Sequence, residues 1–194
     1  MPDIRDALRP APLLLNHASL FGAPTVKGPI LDLACGSGHN GIYLAKKGLR
    51  VILCDISDDS LEKAEALAHR AGVNVDLWRV DLEEEGFNPL DKQLLGAILV
   101  FRYLHRPLIP CIKKALIPGG LLMYETFTTD QPKFGKPRNP DFLLKPGELR
   151  AWFQDWTILH HFEGIQENPT RAVAQMVCRK PAGEKGFPEI TGWS

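Results

Sequence analysis

Three glycines lie at a regular spacing between an apolar run and a helical pattern. Gly36, Gly38 and Gly41 stand in G-x-G-x-x-G spacing inside the stretch ILDLACGSGHNG. Glycine lets the backbone turn sharply and approach a ligand closely, and the start of the next helix offers N–H groups without partners. The spacing therefore predicts a loop that binds a nucleotide-like cofactor, although it also describes dinucleotide-binding folds.

Three aspartates surround this loop. Asp32 lies within the first predicted strand, where a dinucleotide-binding protein usually carries an apolar residue. A carboxylate so near the loop suits a cofactor with a positively charged amino-acid end better than it suits a pyrophosphate. Asp55 ends the second strand, where it can accept hydrogen bonds from ribose hydroxyls. Asp81 follows the third strand and can bind an adenine amino group.

The motifs DLACGSG, CDIS and VDL (Val80–Leu82) resemble the first three motifs of class I S-adenosylmethionine-dependent methyltransferases. The resemblance covers about Pro29–Lys180 and implies S-adenosylmethionine as the cofactor. It implies that the loop backbone holds the methionine end, that Asp55 binds the ribose and that Ile56 packs on the adenine. The residues expected to bind the cofactor are Asp32, Ala34, Cys35, Gly36, Gly38, Asp55, Ile56, Asp81, Leu82 and Phe101.

Polar residues at the ends of the fourth and fifth predicted strands are the candidates for the acceptor side. In open parallel sheets, ligands bind beyond the carboxyl ends of the strands, near the point where strand order reverses. Those ends read FRYLHRP and YETFTTD, and they offer Arg102, His105, Arg106 and Glu125 as catalytic candidates. His105 can act as a base because imidazole titrates near neutrality, whereas the arginines can hold an anion through forked hydrogen bonds.

Each candidate also has a purely structural interpretation. Arg102 can pair with Glu125 across neighbouring strand ends, His105 can cap the next helix, and Arg106 can be exposed to solvent. The segment Thr128–Lys145 is either an ordinary irregular loop or a lid over an anion. Its candidate cations for such a lid are Lys133, Lys136 and Arg138.

A second set of motifs, RYLHRPL, PGGLLMYETF and GKPRNP, resembles a narrower group of small methyltransferases related to the tellurite-resistance enzymes. This resemblance implies a small-molecule acceptor, either an anion or a soft nucleophile. Two alternatives stay open: methylation of RNA or of a protein, and a module that binds the cofactor without catalysis. The N-P-P-Y type of motif used in amino-group methylation is absent, since the fourth strand ends in VFRY.

The elements that position these residues alternate between β-rich and helical patterns, which predicts an α/β fold. Strands are predicted at Ile30–Ala34, Arg50–Cys54, Val75–Val80, Leu95–Phe101, Leu121–Phe127, Trp156–Phe162 and Ala172–Arg179. Helices are predicted at about His39–Lys47, Asp58–Ala71, Leu108–Leu116 and Gly147–Gln154. The second of these can be capped by Ser57 or Asp59, and its apolar residues recur at helical spacing. The resemblance implies a Rossmann-like, doubly wound, mostly parallel seven-stranded sheet of order 3-2-1-4-5-7-6 with the last strand antiparallel.

Length and composition limit the class of protein. The 194 residues suffice for one domain with a substantial core. This domain is predicted at residues 29–180, preceded by an N-terminal segment 1–28 over the cofactor site and followed by an irregular tail 181–194. The formal net charge is zero, which argues against nucleic acid as a partner. No stretch is long and apolar enough to cross a bilayer. The four cysteines show no metal-ligand or disulfide pattern, so we expect reduced thiols, no metal site and a cytoplasmic protein.

Overall fold

The computed structural model describes residues 8–22 and 26–182. Its centre is one sheet of seven strands whose members follow the predicted apolar runs. The strands are β1 (Ile30–Leu33), β2 (Val51–Asp55), β3 (Asp76–Arg79), β4 (Leu95–Phe101), β5 (Leu116–Phe127), β6 (Thr157–Gln166) and β7 (Arg171–Arg179).

The strand order is β3-β2-β1-β4-β5-β7-β6, which confirms the order implied by the resemblance. The first five strands run parallel to one another, whereas β7 lies antiparallel to both β5 and β6. The order reverses between β1 and β4, so the carboxyl ends of these two strands flank the point at which such sheets bind ligands.

Within residues 8–22 and 26–182, five α-helices connect or cover the strands. They are α1 (Pro12–Asn16), α2 (His39–Ala45), α3 (Asp58–Arg70), α4 (Leu108–Ala115) and α5 (Glu148–Trp152). The predicted cap of α3 is confirmed, since the Ser57 hydroxyl accepts a hydrogen bond from the backbone N–H of Ser60. The buried side chains Leu61, Ala64 and Ala68 form the apolar face of this helix.

The sheet separates two apolar layers because successive side chains of a strand point to opposite faces. Leu31 and Leu33 of β1 belong to the layer that also contains α4 and α5. Ile30 belongs to the other layer, which contains α2, α3 and the N-terminal helix α1. Both faces of the central strands are therefore covered, which explains their continuous apolar sequences.

Two strands are longer than predicted. β5 begins at Leu116 rather than Leu121, because the Pro118-Gly119-Gly120 stretch enters the strand through a bulge instead of forming a separate turn. β6 continues to Gln166, since it pairs with β7 along its full length. The predicted Thr128–Lys145 connection contains two 3-10 turns, Gln131–Lys133 and Pro140–Phe142. Most of the predicted C-terminal tail, like parts of the N-terminal segment, lies outside the described residues.

Candidate functional site

The glycine loop between β1 and α2 is held in place by two aspartates. The backbone N–H of Gly36 donates to Asp55 Oδ2 at 2.9 Å, and that of Gly41 donates to Asp32 Oδ2 at 2.8 Å. Gly36 has a φ of 53° and open space around its Cα, so the backbone there is accessible to a ligand. A side chain on Gly41 would collide with β2, so this glycine is required for packing.

A first cavity, the glycine-loop compartment, opens beside this loop and has a volume of about 360 Å³. Most of the residues predicted to hold the methionine end of the cofactor line it. The lining residues are Arg9, Ala11, Asp32, Ala34, Cys35, Gly36, His39, Asn40, Phe101 and Arg102. Ala34 has a φ of 52°, a strained conformation for a residue other than glycine, of the kind found at ligand-binding positions.

Asp32 is the buried acid of this compartment, with 1% of its surface exposed. Burial raises the pKa of its carboxyl to about 7, although the hydrogen bond from Gly41 opposes this shift and the nearby Asp55 adds to it. No ion pair to Asp32 is found among the described residues. A ligand with a positively charged group would therefore complete the electrostatic environment of this carboxyl.

The N-terminal segment lies against the glycine-loop compartment. The backbone N–H of Ala11 donates to Asn40 Oδ1 at 2.8 Å, and that of Arg9 donates to His39 Nδ1 at 3.3 Å. Leu13 and Leu14 of α1 are buried in the adjacent apolar layer. The segment was expected over the cofactor site, but sequence reasoning missed these four contact residues, because a local pattern does not show which residues of the segment meet α2.

A second cavity, the Ile56 compartment, shares Ala34 with the first and has a volume of about 340 Å³. Its lining residues are Ala34, Ile56, Val80, Asp81, Leu82, Glu83 and Tyr103. Ile56 is 54% exposed, so it offers an apolar surface on which a flat group bound in this compartment can pack. Asp81 lies at the rim, where its Oδ1 accepts a hydrogen bond from the N–H of Glu83.

Asp55 is not among the lining residues of either compartment, but it is bonded to Gly36 of the first and directly precedes Ile56 of the second. Both of its carboxylate oxygens hold the backbone. Oδ2 accepts from Gly36, and Oδ1 accepts from the N–H of Ser57 at 2.9 Å. Each carboxylate oxygen has a second lone pair, so these bonds leave acceptor capacity for ribose hydroxyls. The sequence predicted the ligand-binding role of Asp55 but not its role in fixing the loop.

Tyr103 is a residue that sequence reasoning missed. Its ring lines the Ile56 compartment, and its buried hydroxyl has no hydrogen-bond partner among the described residues. Burial and the neighbouring Glu83 carboxylate raise the pKa of this hydroxyl. Its position directly after Arg102 at the end of β4 is a signal that could have identified it.

A third cavity, the Arg102 compartment, meets the glycine-loop compartment at Arg102 and has a volume of about 380 Å³. Its lining residues are Arg102, Leu104, Phe127, Lys136, Pro137 and Phe142. Arg102 has a φ of 58°, and its N–H donates to the backbone oxygen of Glu125 at 2.8 Å. This hydrogen bond joins the end of β4 to β5 and fixes the backbone of Arg102 beside the cavity.

Arg106 does not line any of these three compartments, in contrast to the expectation that it holds an anion. Its guanidinium forms two hydrogen bonds with Glu148, at 2.7 and 2.9 Å, and two more with the backbone oxygens of Asp141 and Leu143. Burial alone would raise the pKa of Glu148, but the bonds from Arg106 and from the backbone N–H of Lys145 lower it overall. Arg106 therefore fastens residues 141–148 to the start of α4.

Glu125 was expected either as a catalytic residue or, in the structural interpretation, as the partner of Arg102, and its observed contacts are different from both. Its carboxylate is 1% exposed and accepts a hydrogen bond from Gln175 Nε2 at 2.6 Å. Arg171 Nη2 lies 3.5 Å from its other oxygen. Since both partners come from β7, Glu125 joins β5 to β7 within the sheet and its carboxylate does not face Arg102.

His105 lies on the other side of the site from the Arg102 compartment. Its ring borders a cavity formed with residues 82–89, and its Nδ1 is 4.0 Å from Glu83 Oε2. The residues that share this cavity are mainly loop residues next to the Ile56 compartment. Eight of the ten predicted cofactor residues thus line the two compartments joined at Ala34, together with Arg102. Gly38, Asp55, His105, Arg106 and Glu125 are not among these lining residues.

The described residues contain no group of three or more potential metal ligands, and all four cysteines are free. Burial raises the pKa of the Cys35 thiol in the glycine-loop compartment, so that thiol is not poised as a nucleophile. Across residues 8–22 and 26–182, no helix has the length and apolar character needed to span a membrane.

The model of a methyltransferase domain matches residues 30–120. The probable S-adenosyl-L-methionine-dependent methyltransferase TehB of Haemophilus influenzae is 24% identical over 78% of this chain and 54% of its own length. Its crystal structure superposes with a TM-score of 0.68 at 22% identity, covering 86% of this chain and 61% of that one. This chain thus spans little more than half of that relative.

Two further proteins are similar to this chain, one in sequence and one in structure. The tRNA 5-carboxymethoxyuridine methyltransferase of Escherichia coli K12 is 24% identical over 67% of this chain and 60% of its own length. The magnesium protoporphyrin IX methyltransferase of Synechocystis, solved with bound S-adenosylhomocysteine (SAH), has a TM-score of 0.64 at 15% identity, covering 87% of this chain and 79% of that one. These structural likenesses confirm the predicted fold.

Proposed function

We propose that this chain transfers a methyl group from S-adenosylmethionine to a small molecule in the cytoplasm. The match of residues 30–120 to the model of a methyltransferase domain supports the transfer of a methyl group. The observation that carries the proposal is the pair of compartments joined at Ala34. A buried acid (Asp32), an accessible glycine backbone (Gly36) and an exposed isoleucine (Ile56) line this groove, and Asp55 is attached to it through its hydrogen bond with Gly36. This order matches the order of groups along the cofactor.

Each part of the groove has a distinct task in binding. Asp32 would pair with the ammonium of the methionine end, and the backbone at Gly36 would lie against it. Asp55 would accept hydrogen bonds from the ribose, while Ile56 and Leu82 would enclose the adenine above Asp81. When bound, the cofactor supplies an activated methyl group on a sulfonium, so the protein mainly has to align and desolvate the acceptor.

The position of the third cavity supports a small acceptor. The Arg102 compartment adjoins the cofactor groove through Arg102, and its volume lies within the range of small-molecule sites. Two cations line it, which favours the anionic acceptor expected from the likeness to tellurite-resistance enzymes over a neutral one. Methylation of RNA is the second candidate, because a tRNA methyltransferase is among the relatives.

Calorimetry with SAH tests the first half of the proposal. We expect binding in the micromolar range and none with NAD, and an absence of SAH binding at millimolar concentration would overturn the assignment. Incubation with methyl-labelled S-adenosylmethionine and fractionated cell extract tests the second half. Label in small-molecule fractions supports the proposal, label in tRNA or protein supports the alternative, and no transfer despite SAH binding indicates a binding module.

A further inference from the structure

We propose that the acceptor is a carboxylate attached to an apolar body, aromatic or branched aliphatic, and that the product is its methyl ester. This inference rests on the proposed function and specifies the substrate class of the same site. It comes from the composition of the Arg102 compartment: two cations, four apolar residues and no group that can remove a proton.

The absence of a base from the described lining restricts the acceptor. Leu104, Phe127, Pro137 and Phe142 cannot accept a proton, and His105 borders a different cavity. His39 lines the adjoining glycine-loop compartment, but its Nδ1 already accepts a hydrogen bond from the backbone N–H of Arg9. An acceptor in this compartment must therefore arrive with its nucleophilic lone pair free at neutral pH. A carboxylic acid, with an ordinary pKa near 4, meets this requirement, whereas thiols near 8.5 and phenols near 10 are mostly protonated.

The two cations are available to such an anion. Neither Arg102 nor Lys136 has a carboxylate partner among the described residues, whereas the nearby Arg106 and Lys133 are paired with Glu148 and Asp130. A guanidinium matches the two oxygens of a carboxylate, and an ammonium adds a point charge. Since Arg102 lies where the compartment meets the cofactor groove, an oxygen held there faces the cofactor side.

The apolar walls favour both the substrate body and the reaction. Two phenylalanines, a leucine and a proline offer a surface that a small inorganic oxyanion would leave unfilled, and Phe142 is still 48% exposed. The transfer forms a C–O bond from a carboxylate oxygen and breaks the C–S bond of the sulfonium, whose electron pair stays on sulfur. One negative and one positive charge disappear and no proton moves, and apolar walls favour the approach of the opposite charges.

Binding to the SAH-saturated protein tests the proposal by calorimetry. The probes are phenylacetate, 3-phenylpropanoate, 4-methylpentanoate and hexanoate, with phenylacetamide as the neutral match and selenite as the inorganic anion. We expect at least one carboxylate to bind and phenylacetamide to bind about tenfold more weakly or worse. Equal binding of the amide, binding of selenite alone, or binding of none of the carboxylates would overturn the proposal.

The variant Lys136→Met separates this proposal from the cofactor assignment, because Lys136 lines only the Arg102 compartment. We expect it to weaken carboxylate binding about 10- to 100-fold and to leave SAH affinity unchanged. Lys114→Met, at an exposed ion pair on α4, is the matched control and should change neither. If Lys136→Met binds the carboxylate as tightly as the wild-type protein does, the inference is wrong. If the wild-type protein does not bind SAH, the proposed function is wrong instead.

Discussion

Replacing Asp32 by asparagine should make the cofactor-free protein more stable at pH 8 while weakening its binding of SAH. The carboxyl of Asp32 is buried, and its pKa is raised from 3.8 to about 7. The folded state therefore retains a proton between these two pH values that the unfolded state has lost. Stability contributed by this proton is present below about pH 4 and is lost as the pH rises towards 7.

The magnitude follows from the size of the shift. About three pH units correspond to roughly 4 kcal/mol of stability lost by the wild-type protein between pH 4 and pH 7. Asparagine has no charge to bury, and its side-chain oxygen can still accept the hydrogen bond from Gly41. Its amide N–H groups need partners, at a cost of roughly 1–3 kcal/mol. The expected net gain at pH 8 is about 1–3 kcal/mol.

Urea unfolding at pH 5, 6, 7 and 8 without ligand measures this effect. The fall in stability between pH 5 and pH 8 should be smaller in Asp32→Asn by about 2.5 kcal/mol, since part of the effect already occurs between pH 4 and pH 5. Asp59→Asn, at an exposed position on α3, is the matched control and should keep the slope of the wild-type protein. Parallel slopes in Asp32→Asn and the wild-type protein, or a variant that is less stable at pH 8, would refute the reasoning.

SAH binding provides an independent reading of the same carboxyl. A bound ammonium favours the ionised acid, so wild-type protein at pH 6.5 should release a fraction of one proton on binding. Calorimetry in phosphate and in Tris detects this release because the two buffers differ in ionisation enthalpy. Asp32→Asn should release none and bind more weakly. Proton release of the same size from both proteins would assign the titration to another group.

Three further substitutions test the assigned roles. Asp55→Ala removes the acceptor for two backbone N–H groups as well as for the ribose, so SAH affinity should fall about 30-fold or more; an unchanged calorimetric affinity would mean that the ribose lies elsewhere. Arg106→Met should cost about 2 kcal/mol in urea unfolding and expose residues 128–148 to proteolysis, because Glu148 and two carbonyls lose their donor; an unaltered midpoint and cleavage pattern would contradict its fastening role. His105→Ala should change label transfer to small molecules less than about threefold, whereas a loss of 100-fold would restore His105 as the base.

Strands and helices with buried faces were predicted well, because the pattern of apolar residues within each element indicates its type and bounds. β4 matches its predicted bounds, and α3 was found from its cap and its apolar spacing. The start of β5 was missed because proline and glycine at 118–120 resemble a turn, and only pairing with Leu95 of β4 shows that the strand begins before them. Local sequence patterns contain no information about such a partner.

In the candidate site too, the residues that are close in sequence were predicted and the contacts between distant residues were not. The glycine loop and its aspartates are close in sequence, so their common location could be inferred from spacing and resemblance. The true partners of Arg106 and Glu125 are residues 148 and 175, which are 42 and 50 positions away. A charged residue at a strand end has many possible partners at such separations, and only the fold decides which of them it meets.

The way in which residues 141–148 are attached has a consequence for how this protein can diverge. Arg106 holds this stretch through side chain and backbone together, while the walls Pro137 and Phe142 belong to the connection just before or within it. The donor-binding groove, by contrast, is built from the sheet and the glycine loop. Because Arg106 binds the backbone oxygens of Asp141 and Leu143, the side chains of residues 129–143 can change while this attachment stays in place. New acceptor preferences can therefore arise in this connection without altering the methyl donor.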